Sequence, residues 1–128
     1  MILDSSALIA LIFKEPGHEQ LMDKLNEAEY LGIGTPTLAE AGVVLTARIG
    51  HPAKSLLTAL LQELGINEIS FSPVHWREAV DAYQRFGRGR HPAKLNFGDC
   101  LSYATAKLAG QPLLFIGHDF SKTDLDRA

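Results

Sequence analysis

Four acids punctuate this 128-residue chain where short apolar runs end or helical segments open: Asp4, Glu40, Asp99 and Asp119. Brought together from separate segments, they are hard oxygen ligands of the kind Mg²⁺ or Mn²⁺ takes, with water and substrate phosphate oxygens in the remaining positions. Without a cation they would repel one another, with raised pKa values or disorder as the result. Each acid also has a structural use of its own. Asp4 can cap a helix, and Asp99 is favoured near a helix N-terminus by the dipole. Glu40 fits a capping box with Thr37, although Pro36 at the first helical position makes Thr35 the cap and leaves Glu40 beyond the box. Asp119 and Asp124 can be solvated loop acids. The set, not any member, points to metal chemistry.

The order of elements is what would gather the set. Met1-Ile2-Leu3 has strand character and stops at Asp4; Ser5 or Ser6 can cap a helix through Lys14 that Glu15-Pro16-Gly17 ends. From His18 to Ala28, the residues Leu21, Met22, Leu25 and Ala28 recur at helical spacing. A second strand is predicted over Tyr30 to Gly34, a helix from Thr35-Pro36 to Ile49 with Gly50 as its stop, and another over Pro52 to Leu64 ahead of Gly65. Asn67 to Ser72 alternates as a half-buried strand does, and Ser72-Pro73 reopens a helix that Gly87 closes. Asn96 can cap a helix through Ala109, Pro112 to Ile116 is a last apolar strand, and residues 117–128 are polar and too short for another large element. Strands alternating with helices predict an α/β protein, a three-layer α/β/α sandwich around a mostly parallel sheet. Right-handed crossovers put helices on both faces, and ligands gather outside the carboxyl ends of the strands. All four acids map to that rim.

Composition is consistent with one domain over residues 1–128, since 46% hydrophobic and 21% charged residues suffice for a core. Cys100 is the only cysteine, which excludes an internal disulfide and a cysteine-rich zinc site and points to a reducing compartment, by default the cytoplasm. The longest apolar run, Ala7 to Phe13, falls short of the ~20 residues that span a bilayer. Its Met-Ile-Leu-Asp flank carries no basic residue and is not expected to be a signal peptide. The 12 Lys and Arg against 15 Asp and Glu, net −3, are not the footprint of a nucleic-acid binder. With the four acids set aside as metal ligands, 11 acids face 12 bases, so the average hides an acidic pocket in a mildly basic surround.

Four stretches together resemble the motifs of PIN-domain ribonucleases: Met-Ile-Leu-Asp-Ser-Ser-Ala-Leu at the start, Thr-Leu-Ala-Glu-Ala at 37–41, Leu-Asn-Phe-Gly-Asp-Cys-Leu-Ser-Tyr-Ala at 95–104, and Gly-His-Asp-Phe-Ser-Lys-Thr-Asp at 117–124. Within that family they are most similar to the VapC toxins of bacterial toxin–antitoxin operons, over essentially the whole chain. The resemblance implies a PIN-like sheet of four to five strands. Many members continue past the Thr-Asp pair into a final edge strand, where this chain has Leu125-Asp126-Arg127-Ala128. It also implies that Asp4, Glu40, Asp99 and Asp119 are catalytic. Asp4, Asp99 and Asp119 would hold Mg²⁺ or Mn²⁺ while Glu40 orients water, with Ser6 as a hydrogen-bonding neighbour and Asp124 as an additional acid. The expected reaction is hydrolysis of RNA phosphodiester bonds by an activated water, with no side-chain nucleophile. A cognate antitoxin that blocks the rim, and a homodimer formed by the amphipathic helices around residues 52–86, are further implications.

Arg85, Arg88, Arg90 and Lys94 occupy a stretch without acids between its first and last members, with Phe86, His91 and Phe97 among or beside them. Leading into the helix of Asp99, this stretch is either a guide for an RNA backbone with an aromatic for stacking or a flexible, solvated loop. Cys100 and His118 lack a cysteine-protease signature, and Cys100 reads as packing. His91 and His118 read as loop or supporting residues, and Trp76, Tyr83 and Phe86 as core or dimer surface. Two other classes compete. An Asp-nucleophile phosphatase or receiver also has an acid after its first strand, but wants a second acid where Ser5 and Ser6 stand. A non-catalytic α/β interaction module predicts tolerance of neutral substitutions at all four acids.

Overall fold

The computed structural model describes all 128 residues. Strands β1 (Ile2–Leu3), β2 (Gly32–Gly34), β3 (Asn67–Ile69) and β4 (Leu113–Leu114) form one sheet in the order β3-β2-β1-β4. Every neighbouring pair is parallel, with Ile2 opposite both Gly32 and Leu113, and Ile33 opposite Glu68. Helices α1 (Ser5–Ile12), α2 (His18–Glu27), α3 (Thr35–Ile49), α4 (Lys54–Leu64), α5 (Pro73–Phe86) and α6 (Phe97–Ala109) link the strands, and a 3-10 turn (Asp119–Lys122) follows β4. No helix is long and apolar enough to cross a membrane.

Alternation of side chains along the strands divides the interior in two. Leu3, Ile33 and Leu114 face a core built with Leu8, Leu21, Leu45 and Leu57 of α1–α4. Ile2, Leu113 and Phe115 face a second core with Ala82, Phe86, Tyr103 and Ala106 of α5 and α6. The result is the expected α/β/α sandwich. β1 and β4 are buried throughout, which is why they read as unbroken apolar runs. The sheet has four strands, and the chain end contributes a single parallel bridge between Arg127 and Leu113 on the open side of β4. Leu113 N donates to Asp126 O, and Ala128 N to Leu113 O, each at 3.0 Å.

Departures from the sequence expectation fall at element ends. Of the cap candidates Asp4, Ser5 and Ser6, it is Asp4 that caps α1, because pairing ends at Leu3 and leaves Asp4 in extended backbone with its carboxylate turned to Ser6 N. Gly34 replaces Thr35 as the start of α3, since β2 runs directly into the helix. α4 opens at Lys54 instead of Pro52. β3 and β4 are shorter than the apolar runs that announced them, as a two- or three-residue neighbour offers no further pairing partners.

Gly34 is needed for space. A Cβ there would lie 2.7 Å from Thr105 Oγ1 of α6, and Thr105 is itself buried and donates to Leu101 O at 3.0 Å. β2 therefore lies closer to α6 than a side chain permits. Gly34→Ala is expected to lower stability by about 1–3 kcal/mol, seen as a lower Tm with unchanged far-UV circular dichroism. An unchanged Tm would show that Thr105 moves aside freely.

Candidate active site

Asp4 leaves the end of β1 only 5% exposed. Its Oδ2 accepts from Ser6 Oγ at 2.6 Å and from Ser6 N at 3.2 Å, and its Oδ1 accepts from Ser102 Oγ of α6 at 2.6 Å. Ser6 Oγ in turn accepts from Ile116 N at 3.0 Å. That bond ties the segment after β4, on which Asp119 sits, to the first turn of α1. Ser102 Oγ also meets Thr37 Oγ1 of α3 at 3.3 Å, and both residues are buried.

Glu40 lies one turn beyond Thr37. Its Oε1 accepts from Ser5 Oγ at 2.8 Å, and its carboxylate rests on Gly98, where a Cβ would come 2.5 Å from Oε2. Glycine at 98 is thus what lets the acid of α3 approach the first turn of α6. Asp99 follows at once, in a reciprocal cap: Asn96 N donates to Asp99 Oδ2 at 3.0 Å and Asp99 N to Asn96 Oδ1 at 2.9 Å. Asp119 opens the 3-10 turn and is exposed.

Burial pushes the Asp99 carboxyl up to about 6; the bond from Asn96 N opposes the rise, and the charges of Asp4, Asp119 and Glu40 add to it. Asp4, Asp119 and Glu40 therefore all lie near enough to Asp99 to act on it, which puts the four acids at one rim. The three ion pairs of the molecule, Arg48–Glu15, Arg85–Asp124 and Lys107–Asp124, lie elsewhere. No three Asp, Glu, His or Cys side chains are spaced to cage one ion, so this is not a closed site of the zinc type. A hard divalent cation does not require one, because Mg²⁺ keeps several waters and takes one or two carboxylates directly. An all-oxygen donor set without a cationic side chain fits such an ion. Cys100 does not join it, being buried, with its thiol pushed up to about 11 by burial and then by Asp99.

Two of the other expected residues are engaged differently. Asp124 Oδ1 accepts from Tyr103 Oη at 2.5 Å, and its Oδ2 accepts from Lys107 Nζ at 2.9 Å and Arg85 Nη2 at 3.1 Å. Burial raises the Asp124 carboxyl, but the bonds from Tyr103, Lys107 and Arg85 outweigh it and hold the group well below the usual carboxylate range. Asp124 is therefore a clamp between α5, α6 and the chain end, and Arg85 is spent on it instead of standing free for a phosphate. Arg88, Arg90 and Lys94 remain exposed and unpaired with acids. Their loop is built, not loose: Arg88 N donates to Leu95 O, Leu95 N to Phe86 O, and His91 packs edge-on against Phe86 with ring centroids 5.1 Å apart. Phe97, two residues before Asp99, is 80% exposed. The sequence reading gave Ser5, Thr37, Gly98 and Ser102 no role at the site: Ser5 and Thr37 entered as capping candidates, and Gly98 and Ser102 only as members of the 95–104 stretch. The available signal was helical spacing, Thr37 one turn before Glu40 and Ser102 one turn after Asp99.

The PIN domain family matches residues 1–125 of the chain. The chain is 45% identical over 127 residues to ribonuclease VapC36 of Mycobacterium tuberculosis, covering 98% of this chain and 91% of that one. Among solved structures it is similar to VapC20 of Mycobacterium tuberculosis, a sarcin–ricin loop cleaving toxin, with a TM-score of 0.79 and 18% identity over 99% of this chain and 97% of that one. A toxin–antitoxin complex from Klebsiella pneumoniae aligns with a TM-score of 0.70 and 21% identity over 96% and 92%.

The raised Asp99 carboxyl has a consequence for stability. A carboxyl whose folded pKa lies above its unfolded value costs nothing below about pH 4 and costs progressively more as pH rises to about 6, where the folded state must give up its proton. In chelator, Asp99→Asn should be more stable than the wild type at pH 7 by about 1 kcal/mol, allowing for partial exposure, with the difference vanishing towards pH 4. Thermal unfolding of both proteins across that range measures it, and a pH-independent difference would show that folding does not raise the Asp99 carboxyl.

Proposed function

The chain belongs to the PIN-domain family, among relatives named VapC ribonucleases, and on that footing we propose that it is a divalent-cation-dependent endoribonuclease acting as the toxin of a toxin–antitoxin pair. The observation that carries this reading is a rim where three acids raise a fourth, Asp99, with no Lys or Arg paired to any of them, around an Asp4 held by three donors.

Asp4, Asp99 and Asp119 are the residues that would hold Mg²⁺ or Mn²⁺, one or two of them directly and the rest through its waters; the ion would supply positive charge to the phosphoryl oxygens and acidify a water. Glu40, steadied by Ser5 and seated on Gly98, is placed to accept a hydrogen bond from the attacking water and orient it. Ser6 serves as a hydrogen-bonding neighbour, its hydroxyl donating to Asp4 and accepting from Ile116 N. Attack by water leaves an aspartyl intermediate unnecessary, and the family assignment displaces the phosphatase or receiver alternative.

For the substrate, Arg88, Arg90 and Lys94 offer charge beside the helix that carries Asp99, and Phe97 offers an aromatic face to an unpaired base. For the antitoxin, the groove of about 910 Å³ between α3 and α4, lined by Leu38, Val43, Leu57 and Leu61, suits an apolar segment close to Glu40. For a homodimer, α5 presents Trp76, Val80 and Tyr83, each about half exposed. The single free cysteine, Cys100, accords with action in the cytoplasm.

Asp4→Asn and Asp99→Asn are each expected to abolish growth arrest and the appearance of discrete new RNA 5′ ends on induction in bacteria, while circular dichroism stays native. A Mg²⁺-dependent Asp99→Asn nuclease would sink the assignment. Replacing Arg88 and Arg90 with Ser should weaken binding to a single-stranded RNA and reduce the slope of log affinity against log salt by about 1.4. An unchanged slope would place the backbone elsewhere.

A further inference from the structure

We infer that Ser102, with Thr37 behind it, is a positioning residue that leaves Asp4 a single cation-facing lone pair, on Oδ1; the inference rests on the metal-dependent reading above. A carboxylate has roughly four lone-pair positions. At Asp4, Ser6 Oγ and Ser6 N take both positions of Oδ2, and Ser102 Oγ takes one of Oδ1. Asp4 is 5% exposed, so little of the group meets solvent. One position remains, on the oxygen that Ser102 holds. A carboxylate fixed in this way binds a cation through one oxygen and cannot swing to offer two.

The direction of the hydroxyl chain follows from counting hydrogens. Ser102 has one, and spends it on Asp4 at 2.6 Å. Thr37 must then be the donor in the 3.3 Å contact between Thr37 and Ser102. The chain runs Thr37 to Ser102 to Asp4, and each donor polarises the next. It leaves no buried side-chain nitrogen or oxygen without a partner. Packing alone does not call for it, as buried hydroxyls cost desolvation that Ala and Val at these two positions would avoid. It also joins the two helices that bear the other acids, because Thr37 precedes Glu40 by one turn and Ser102 follows Asp99 by one turn. Through it, α3 and α6 set the angle at which Asp4 meets the ion.

The test is Mn²⁺ binding to the RNA-free protein, by calorimetry or electron paramagnetic resonance, with kcat, KM and Tm measured on the same preparations. Ser102→Ala is expected to weaken Mn²⁺ binding about tenfold and to lower kcat with KM for RNA nearly unchanged. Thr37→Val, which keeps the shape and removes the hydroxyl, should lose less in the same direction, and Thr37→Ser should restore it. The double variant Ser102→Ala/Thr37→Val separates positioning from stability. Removing both hydroxyls leaves neither stranded, so Tm recovers relative to Ser102→Ala, while Mn²⁺ affinity and kcat stay low. If Ser102→Ala binds Mn²⁺ and turns over as the wild type does, or if affinity and kcat recover with Tm in the double variant, the inference is wrong and the metal reading stands. A wild type that binds no Mn²⁺ overturns both.

Discussion

Burying a carboxylate demands donors, and the arrangement of this molecule around Asp4 answers that demand. β1 lies inside the sheet between β2 and β4, so the residue that follows it emerges in the middle of the carboxyl edge, where little water reaches. An acid there without partners would cost several kcal/mol. Three segments meet the need at once: the first turn of α1 through Ser6, the middle of α6 through Ser102, and, one bond removed, α3 through Thr37. Ser6 extends the network to Ile116 beyond β4. The elements that satisfy Asp4 are thereby the elements that carry Glu40, Asp99 and Asp119. Supporting one buried acid and assembling four are the same act of folding.

The chain handles its carboxylates in two opposite ways. At the rim they are placed near one another with hydroxyls and backbone amides but no ammonium or guanidinium, and Asp99 is raised accordingly. Further along α6, Asp124 receives a phenol, an ammonium and a guanidinium and is held low. Burial raises both groups; neighbouring acids add to it at Asp99, and three donors outweigh it at Asp124. The Asp124 cluster stabilises by fastening the chain end to α5 and α6; the rim leaves in place a repulsion on Asp99 that, under the proposed function, a divalent cation would relieve. Such a division is expected where a site is maintained for ligand and not for stability.

Much of the architecture was legible because the local signals agree. Gly50, Gly65 and Gly110 each end a helix in the left-handed conformation that favours glycine, and the apolar runs at residues 1–3 and 112–116 do become the paired strands β1 and β4. The caps were less legible. Asp4, Ser5 and Ser6 are all acceptable N-caps by residue type, and the choice fell to Asp4 only because β1 stops pairing at Leu3. Arg85 and Asp124, 39 positions apart, gave no hint of their bond, and a cationic residue in the last turn of α5 looked free for substrate when it was already engaged. The same applies to Ser102, whose contact with Asp4 spans 98 positions.

The amino-acid sequence by itself determined the order of strands and helices, the two-sided burial of the sheet, and the placing of four acids at strand ends and helix starts. These follow from periodicity, glycine and proline chemistry, and the handedness of parallel crossovers, all of which act within a few tens of residues. Only the tertiary structure decided which hydroxyls hold Asp4, that Gly98 makes room for Glu40, that Arg85 belongs to Asp124, and that the loop of Arg88 and Arg90 is anchored to Phe86 and Leu95. Hydrogen bonds and close contacts act over about 3 Å, so residues distant in the chain reveal them only once folding has set their backbones side by side.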